Sequence, residues 1–206
     1  PEVPKPDEEK KVIAATFARL RPEVIGVCEM GDAKDVADFQ RRLKSVGLEY
    51  PHTEWVDSAD PHRHLALFSQ YPIVARNSQT DLVYLIDQTE FPYNRGILDV
   101  TLQITETYQL RCLGTHLKSK REVPQADQAL MRRNEAHLFR KHIEAIFDEN
   151  SQVNLLAFGD FNDTRNEVSI KAVQGKFGTD RYLTALNLED RFGMKWTHHW
   201  DYPGIY

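Results

Sequence analysis

The sequence predicts an α/β sandwich, on three observations. Helical periodicity fills the beginning of the chain and returns in its later part. Between these lie short apolar runs with hairpin-like spacing. Turn chemistry rather than helices separates those runs, so the order is not that of a strictly alternating parallel sheet. Composition agrees: 41% of the 206 residues are apolar and 28% are charged, enough for one sizeable core. The simplest organisation is one domain over 1–206, with 1–7 as a proline-rich, polar linker or loop. No run approaches the length of a membrane span, and 1–7 has neither the apolar stretch nor the Arg-rich face of a targeting signal.

Taken in order, Val12, Ile13, Ala15 or Thr16, and Leu20 give 8–20 a helical spacing that Pro22 ends. A short apolar strand at 24–27 stops at Glu29. A second helix at 33–46 carries Val36, Phe39 and Leu43 on one face, and Gly47 is its stop signal. Strands follow at 54–56, 65–69, 82–86, 97–104 and 110–117. Asp60-Pro61, Tyr71-Pro72, Phe91-Pro92 and Asn94-Arg95-Gly96 supply the turns between them. Pro124 precedes the longest helix, 125–147, with Ala129, Leu130, His137, Ile143 and Phe147 as its expected buried stripe. A strand at 154–158, a short helix at 167–173 and the aromatic segment Trp196-Thr197-His198-His199-Trp200 complete the chain.

The formal net charge of −5 argues against a protein that coats nucleic acid, because such binding rests on many Lys and Arg contacts. Locally the middle of the chain is basic, through Lys118, Lys120, Arg121, Arg132, Arg133, Arg140 and Lys141. The stretch from Arg132 to Lys141 reads as a solvated helix face. Cys28 and Cys112 both lie in strand-like runs and read as buried, unpaired small hydrophobes.

The chemistry concentrates at strand ends. The apolar run from Asn154 to Phe158 leads into Gly159-Asp160-Phe161-Asn162-Asp163. Strand alternation would send Asp160 and Asn162 to one side and Phe161 to the other. Gly159 permits a bend or a close approach there. A carboxylate beside an amide suits hydrolytic phosphotransfer, as an acceptor that orients water and a neutral donor to a phosphoryl oxygen. The same residues also make an Asx-rich turn. Glu29 is either a surface residue at a strand exit or an oxygen ligand for a hard cation. His116, in Thr115-His116-Leu117-Lys118-Ser119, is either a structural histidine or a site residue facing an anion, and continued strand geometry would put Lys118 on its side. Asn94 and Gly96 mark a hairpin turn, within which Arg95 is either incidental or a bidentate phosphate clamp. His52, His62, His64, His198 and His199 have no zinc-ligand spacing, which ranks zinc behind Mg2+ or Mn2+.

Five segments in this order resemble the endonuclease/exonuclease/phosphatase superfamily. They are Arg21-Pro22-Glu23-Val24-Ile25-Gly26-Val27-Cys28-Glu29, Leu65-Ala66-Leu67-Phe68-Ser69-Gln70-Tyr71-Pro72-Ile73, Arg95-Gly96-Ile97-Leu98-Asp99-Val100, Gly114-Thr115-His116-Leu117-Lys118-Ser119 and Gly159-Asp160-Phe161-Asn162-Asp163. The resemblance implies a four-layer sandwich, two mixed β-sheets face to face with helices outside. It implies Mg2+- or Mn2+-assisted attack of water on a phosphate ester. By the resemblance Glu29 binds the metal, Asp160 orients or activates water, and Asn162 holds a phosphoryl oxygen. His116 donates to the phosphate, and Arg95 and Lys118 add positive charge around it. The substrate is then a phosphate ester, with nucleic acid, inositol phosphate and phospholipid head groups as candidate classes. Members of the family usually begin with a strand bearing a metal-binding Asn and end with strands bearing an Asp and an Asp-His pair. The expectation is therefore a domain missing its first and last strands, with His198 and His199 outside the Asp-His context. The alternative expectation is a non-catalytic phosphate- or partner-binding module that keeps the fold.

Overall fold

A computed structural model describes residues 5–195. The Trp196–Trp200 segment, with His198 and His199, and residues 1–4 lie outside the described residues. Helix α1 (Asp7–Leu20) starts within the expected linker, because Asp7, Glu8 and Glu9 place negative charge at its N-terminal dipole. It ends at Arg21, whose φ of 46° returns its N–H to the Phe17 carbonyl. Strand β1 (Val24–Met30) runs through Glu29 instead of stopping before it. Helix α2 (Ala33–Ser45) opens with a reciprocal capping box between Asp32 and Asp35, an arrangement in which the cap contributes about 1 kcal/mol.

Seven strands follow in two groups, β2 (His52–Val56), β3 (His64–Ser69), β4 (Ile73–Arg76), β5 (Val83–Ile86), β6 (Thr89–Pro92), β7 (Leu98–Gln103) and β8 (Gln109–His116). Helix α3 (Gln128–Glu149), strand β9 (Leu155–Asp160) and helix α4 (Val168–Gln174) complete the described fold. One sheet has the order β1-β3-β2 and is antiparallel throughout. The other has the order β4-β7-β8-β9 and is mixed, since α3 carries the chain over so that β9 pairs parallel to β8. A two-stranded ribbon, β5-β6, stands apart.

Side-chain alternation explains the layers. Leu65 and Leu67 of β3 meet Leu98, Val100 and Leu102 of β7 and Cys112 of β8 between the sheets. The opposite faces of β1 and β3, through Ile25, Ala66 and Phe68, bury Val36, Leu43 and Phe39 of α2. On the far side, Leu113 and Leu117 pack with Ala136, Phe139, Ile143 and Ile146 of α3 and Val173 of α4. The result is helix, sheet, sheet, helix: the four-layer sandwich. Cys28 and Cys112 are free thiols. No helix among the described residues is long and apolar enough to cross a membrane.

Several expectations are corrected. Strands β4 and β6 were not anticipated, and the expected Phe91-Pro92 turn lies inside β6. Pro92 is tolerated because it closes a two-stranded ribbon, opposite Val83, where a missing N–H costs little. The turn itself uses Asp87, at φ 53°. Helix α3 begins at Gln128, with Asp127 as its cap, because Pro124 and Gln125 lie in a turn closed by a Val123–Ala126 bridge. Its buried face keeps Ile143 and Phe147 of the expected stripe, but Ala129 and His137 are exposed, while Arg132, Glu135 and Arg140 are buried. The solvated-face reading therefore fails for Arg132 and Arg140. Arg140 instead donates to the carbonyls of Val173, Gln174 and Arg181, tying α4 and the following loop to α3.

Candidate active site

The site begins with the parallel pairing of β8 and β9, whose last register pair is His116 with Asp160. Leu117 N–H then donates to the Asp160 carbonyl at 2.9 Å, extending the ladder one step. Only glycine fits before Asp160. Gly159 has φ 140°, and a Cβ there would sit 1.8 Å from the Thr115 carbonyl oxygen. This close approach leaves His116 Nε2 3.9 Å from Asp160 Oδ2, with the histidine buried and the carboxylate 55% exposed.

Beyond Asp160 the strand alternation breaks. Asn162 has φ 50°, so its position beside Asp160 comes from a turn and not from strand periodicity. Its N–H donates to Asp160 Oδ1 at 2.8 Å, and its Nδ2 donates to the Leu117 carbonyl at 2.8 Å. The Asx turn and the paired carboxylate and amide are thus the same structure. One amide hydrogen of Asn162 stays uncommitted by these bonds.

The end of β1 meets this pair across the sandwich. Phe158 packs over Gly26, where a Cβ would lie 2.0 Å from its ring, and Cys28 Sγ reaches the Thr115 carbonyl at 3.7 Å. Register shifts between Val27 and Met30, and Glu29 takes φ 59°. Its side chain is 61% exposed and lies 3.6 Å from Arg63 Nε. A left-handed backbone at a non-glycine residue costs of the order of 1–3 kcal/mol. Four described non-glycine residues adopt positive φ: Arg21 and Asp87 serve a helix end and a hairpin turn, and Glu29 and Asn162 lie at the ends of β1 and β9.

Arg95 enters from the turn before β7, which Gly96 closes at φ 63° by donating to the Tyr93 carbonyl. The guanidinium is buried, with Nε 3.2 Å from Asp60 Oδ2, and Nε and Nη1 make no well-directed hydrogen bond among the described residues. Burial is the main influence lowering the His116 pKa below its ordinary value, and Arg95 adds to it. Asp160 and Glu29 act on His116 in the opposite sense, so all four groups share one electrostatic neighbourhood. Lys118 does not continue β8. The strand ends at His116, and the buried Lys118 Nζ turns to the carbonyls of Ser119 and Arg121 at 3.1 and 2.8 Å. Burial, then Arg95, lowers its pKa.

Sequence reading missed Asp60, Arg63, Arg132 and Glu135. Asp60 had been assigned only to a turn. It accepts from the N–H groups of His62 and Arg63 and sits between the Arg63 and Arg95 side chains. The signal available for it was its Asp-Pro context, which marks a turn and no more.

A family model described as Endonuclease/Exonuclease/phosphatase family matches residues 5–188. The chain belongs to the endonuclease/exonuclease/phosphatase family. Solved structures with the same fold include sphingomyelinase C from Streptomyces griseocarneus, at 16% identity and a TM-score of 0.58, covering 81% of this chain and 61% of that one. The human Nocturnin catalytic domain with bound sulfate shares 17% identity, with a TM-score of 0.59 and coverage of 79% and 60%. A Staphylococcus aureus beta toxin variant with bound magnesium ions shares 13% identity, with a TM-score of 0.58 and coverage of 81% and 61%. The chain thus spans about 61% of the sphingomyelinase chain and 60% of the Nocturnin one. No curated protein sequence matches significantly. Members of this family commonly use divalent metals, and the donor chemistry here fits one. Glu29 and Asp160 are solvent-facing carboxylates at neighbouring strand ends. Mg2+ typically takes one or two carboxylates and keeps several waters, so it needs no cluster of three, and the described residues contain none.

Proposed function

We propose that this domain is a divalent-metal-dependent phosphoesterase, a phosphodiesterase of the nuclease-like type. The observation that carries the reading is convergence. Glu29, Arg95 and Asp160, each from a separate element, all act on His116, and Arg95 brings buried N–H groups without well-directed partners among the described residues. Buried guanidinium donors of that kind suit a phosphate oxygen.

In this reading Glu29 would hold Mg2+ or Mn2+, which when bound supplies positive charge to the phosphoryl oxygens and acidifies water. Asp160 accepts a proton from the attacking water and orients it as the new P–O bond forms and the ester P–O bond breaks. Asn162 offers its remaining amide hydrogen to a non-bridging oxygen. Arg95 stabilises the charge that builds there, and Lys118 raises the local positive potential from behind. A His116 with a lowered pKa is neutral at pH 7, so it acts as a hydrogen-bond donor through one ring nitrogen rather than as a cation. The alternative, a phosphate-binding module without turnover, uses the same Arg95 and His116.

Hydrolysis of bis(4-nitrophenyl) phosphate and of 4-nitrophenyl phosphate, with Mg2+ or with EDTA, tests this. Metal-dependent turnover of the diester, faster than that of the monoester, is expected. Tight phosphate binding without turnover of either ester would replace the enzyme by the binding module.

A further inference from the structure

The buried charges of α3 do something that packing alone would not require. Glu135 Oε2 accepts the Lys118 N–H at 2.5 Å, while Arg132 Nη1 donates to the Lys118 carbonyl at 3.1 Å. One turn of α3 therefore grips both sides of a single residue, two positions beyond His116. The same guanidinium donates through Nε to Asp163 Oδ2 at 3.0 Å, three positions beyond Asp160. Asp163 also accepts from Ser169 Oγ at 2.5 Å and lies 3.1 Å from Lys120 Nζ, and Asn162 Nδ2 bonds the Leu117 carbonyl. Arg132, Glu135 and Lys118 are all buried.

Such groups are costly to desolvate, and well-packed apolar residues would join α3 to the sheet at least as stably. What the charges add is geometry. We propose that Arg132 and Glu135 are positioning residues that fasten the ends of β8 and β9 together, so that His116 and Asp160 keep their mutual placement. Their catalytic meaning rests on the phosphoesterase reading. Burial pushes the Glu135 carboxyl up to about 7, against the Lys118 N–H and the charges of Arg95, Lys118 and Arg132. Its remaining oxygen, Oε1, has no hydrogen-bond partner among the described residues. These features leave Glu135 poorly suited to a purely stabilising role.

The test is amide hydrogen exchange of the protein with Arg132→Lys, Glu135→Gln and the exposed control Arg133→Lys, alongside diester hydrolysis. A lysine ammonium cannot span both the Lys118 carbonyl and the Asp163 carboxylate. In Arg132→Lys, exchange should quicken about tenfold in 117–121 and 161–165 together, while β3 and β7 stay unchanged. The kcat should fall about 10- to 100-fold with little change in KM. Glu135→Gln should loosen 117–121 more than 161–165. Loosening confined to one segment in Arg132→Lys, equal loosening of β3 and β7, or an unchanged kcat would each overturn the proposal. Joint loosening in a protein that hydrolyses no phosphate ester would support the fastening and remove the phosphoesterase reading instead.

Discussion

Gly159 is where the smallest side chain has the largest consequence. Its φ of 140° and its approach to the Thr115 carbonyl are what set Asp160 opposite His116. Gly159→Ala is expected to destabilise the fold by roughly 2–5 kcal/mol, from backbone strain together with overpacking. Urea unfolding midpoints measure this, and an unchanged midpoint would mean that the strand ends are not held as described. The other site carboxylates and donors show why motifs at strand ends are readable. Glu29, His116 and Asp160 each close an apolar run, and a polar residue at that point of a sheet stands beside its neighbours' ends. Asn162 meets Asp160 through a turn instead of strand alternation, because alternation does not survive past the last paired residue. Lys118 misled for the same cause: β8 ends two residues before it.

At the scale of elements, α3 holds the main difference between pattern and structure. Apolar periodicity assumes that a helix buries its hydrophobic stripe, yet this helix buries Arg132, Glu135 and Arg140 with Phe139 and Ile143. Charged residues on the core face shift the apparent phase at its N-terminal half, so the stripe was legible at Ile143 and Phe147 but the burial of Arg132 and Glu135 was not. Strand β4 begins beside Pro72 and β6 ends at Pro92, prolines whose turn chemistry masked both strands. A second buried network joins α3 to β7 and β8. Asp99 accepts from Arg111 Nε and Nη2 at 2.8 and 2.6 Å and lies 2.7 Å from His142 Nε2. Burial alone would raise the Asp99 pKa, but the Arg111 and His142 bonds outweigh it and lower the value. A depressed folded-state pKa means that the unfolded chain binds the proton more readily. The Asp99 contribution is therefore full above about pH 4, the unfolded value, and is lost as pH falls through the folded one. Urea midpoints should drop as the pH falls below about 4 in the wild type, and less steeply in an Asp99→Asn variant that starts from a lower midpoint. Equal slopes would take Asp99 out of the acid response.

Across the whole molecule, the four-layer order was legible because each layer has its own signature. Helical periodicity marks the outer layers, and short apolar runs mark the sheets. Gly26 and Gly159 then let the layers and strands approach. What was not legible is how the two open strand ends meet, since that depends on Phe158 lying against Gly26 across the sandwich. On the phosphoesterase reading, this meeting place hydrolyses phosphate esters through Asp160. The most direct measurement is the Mg2+-dependent rate of bis(4-nitrophenyl) phosphate hydrolysis by wild type and by Asp160→Ala, with circular dichroism to confirm that both are folded. A loss of about 10²- to 10⁴-fold in kcat/KM is expected in the folded variant. Undiminished hydrolysis by folded Asp160→Ala would contradict it.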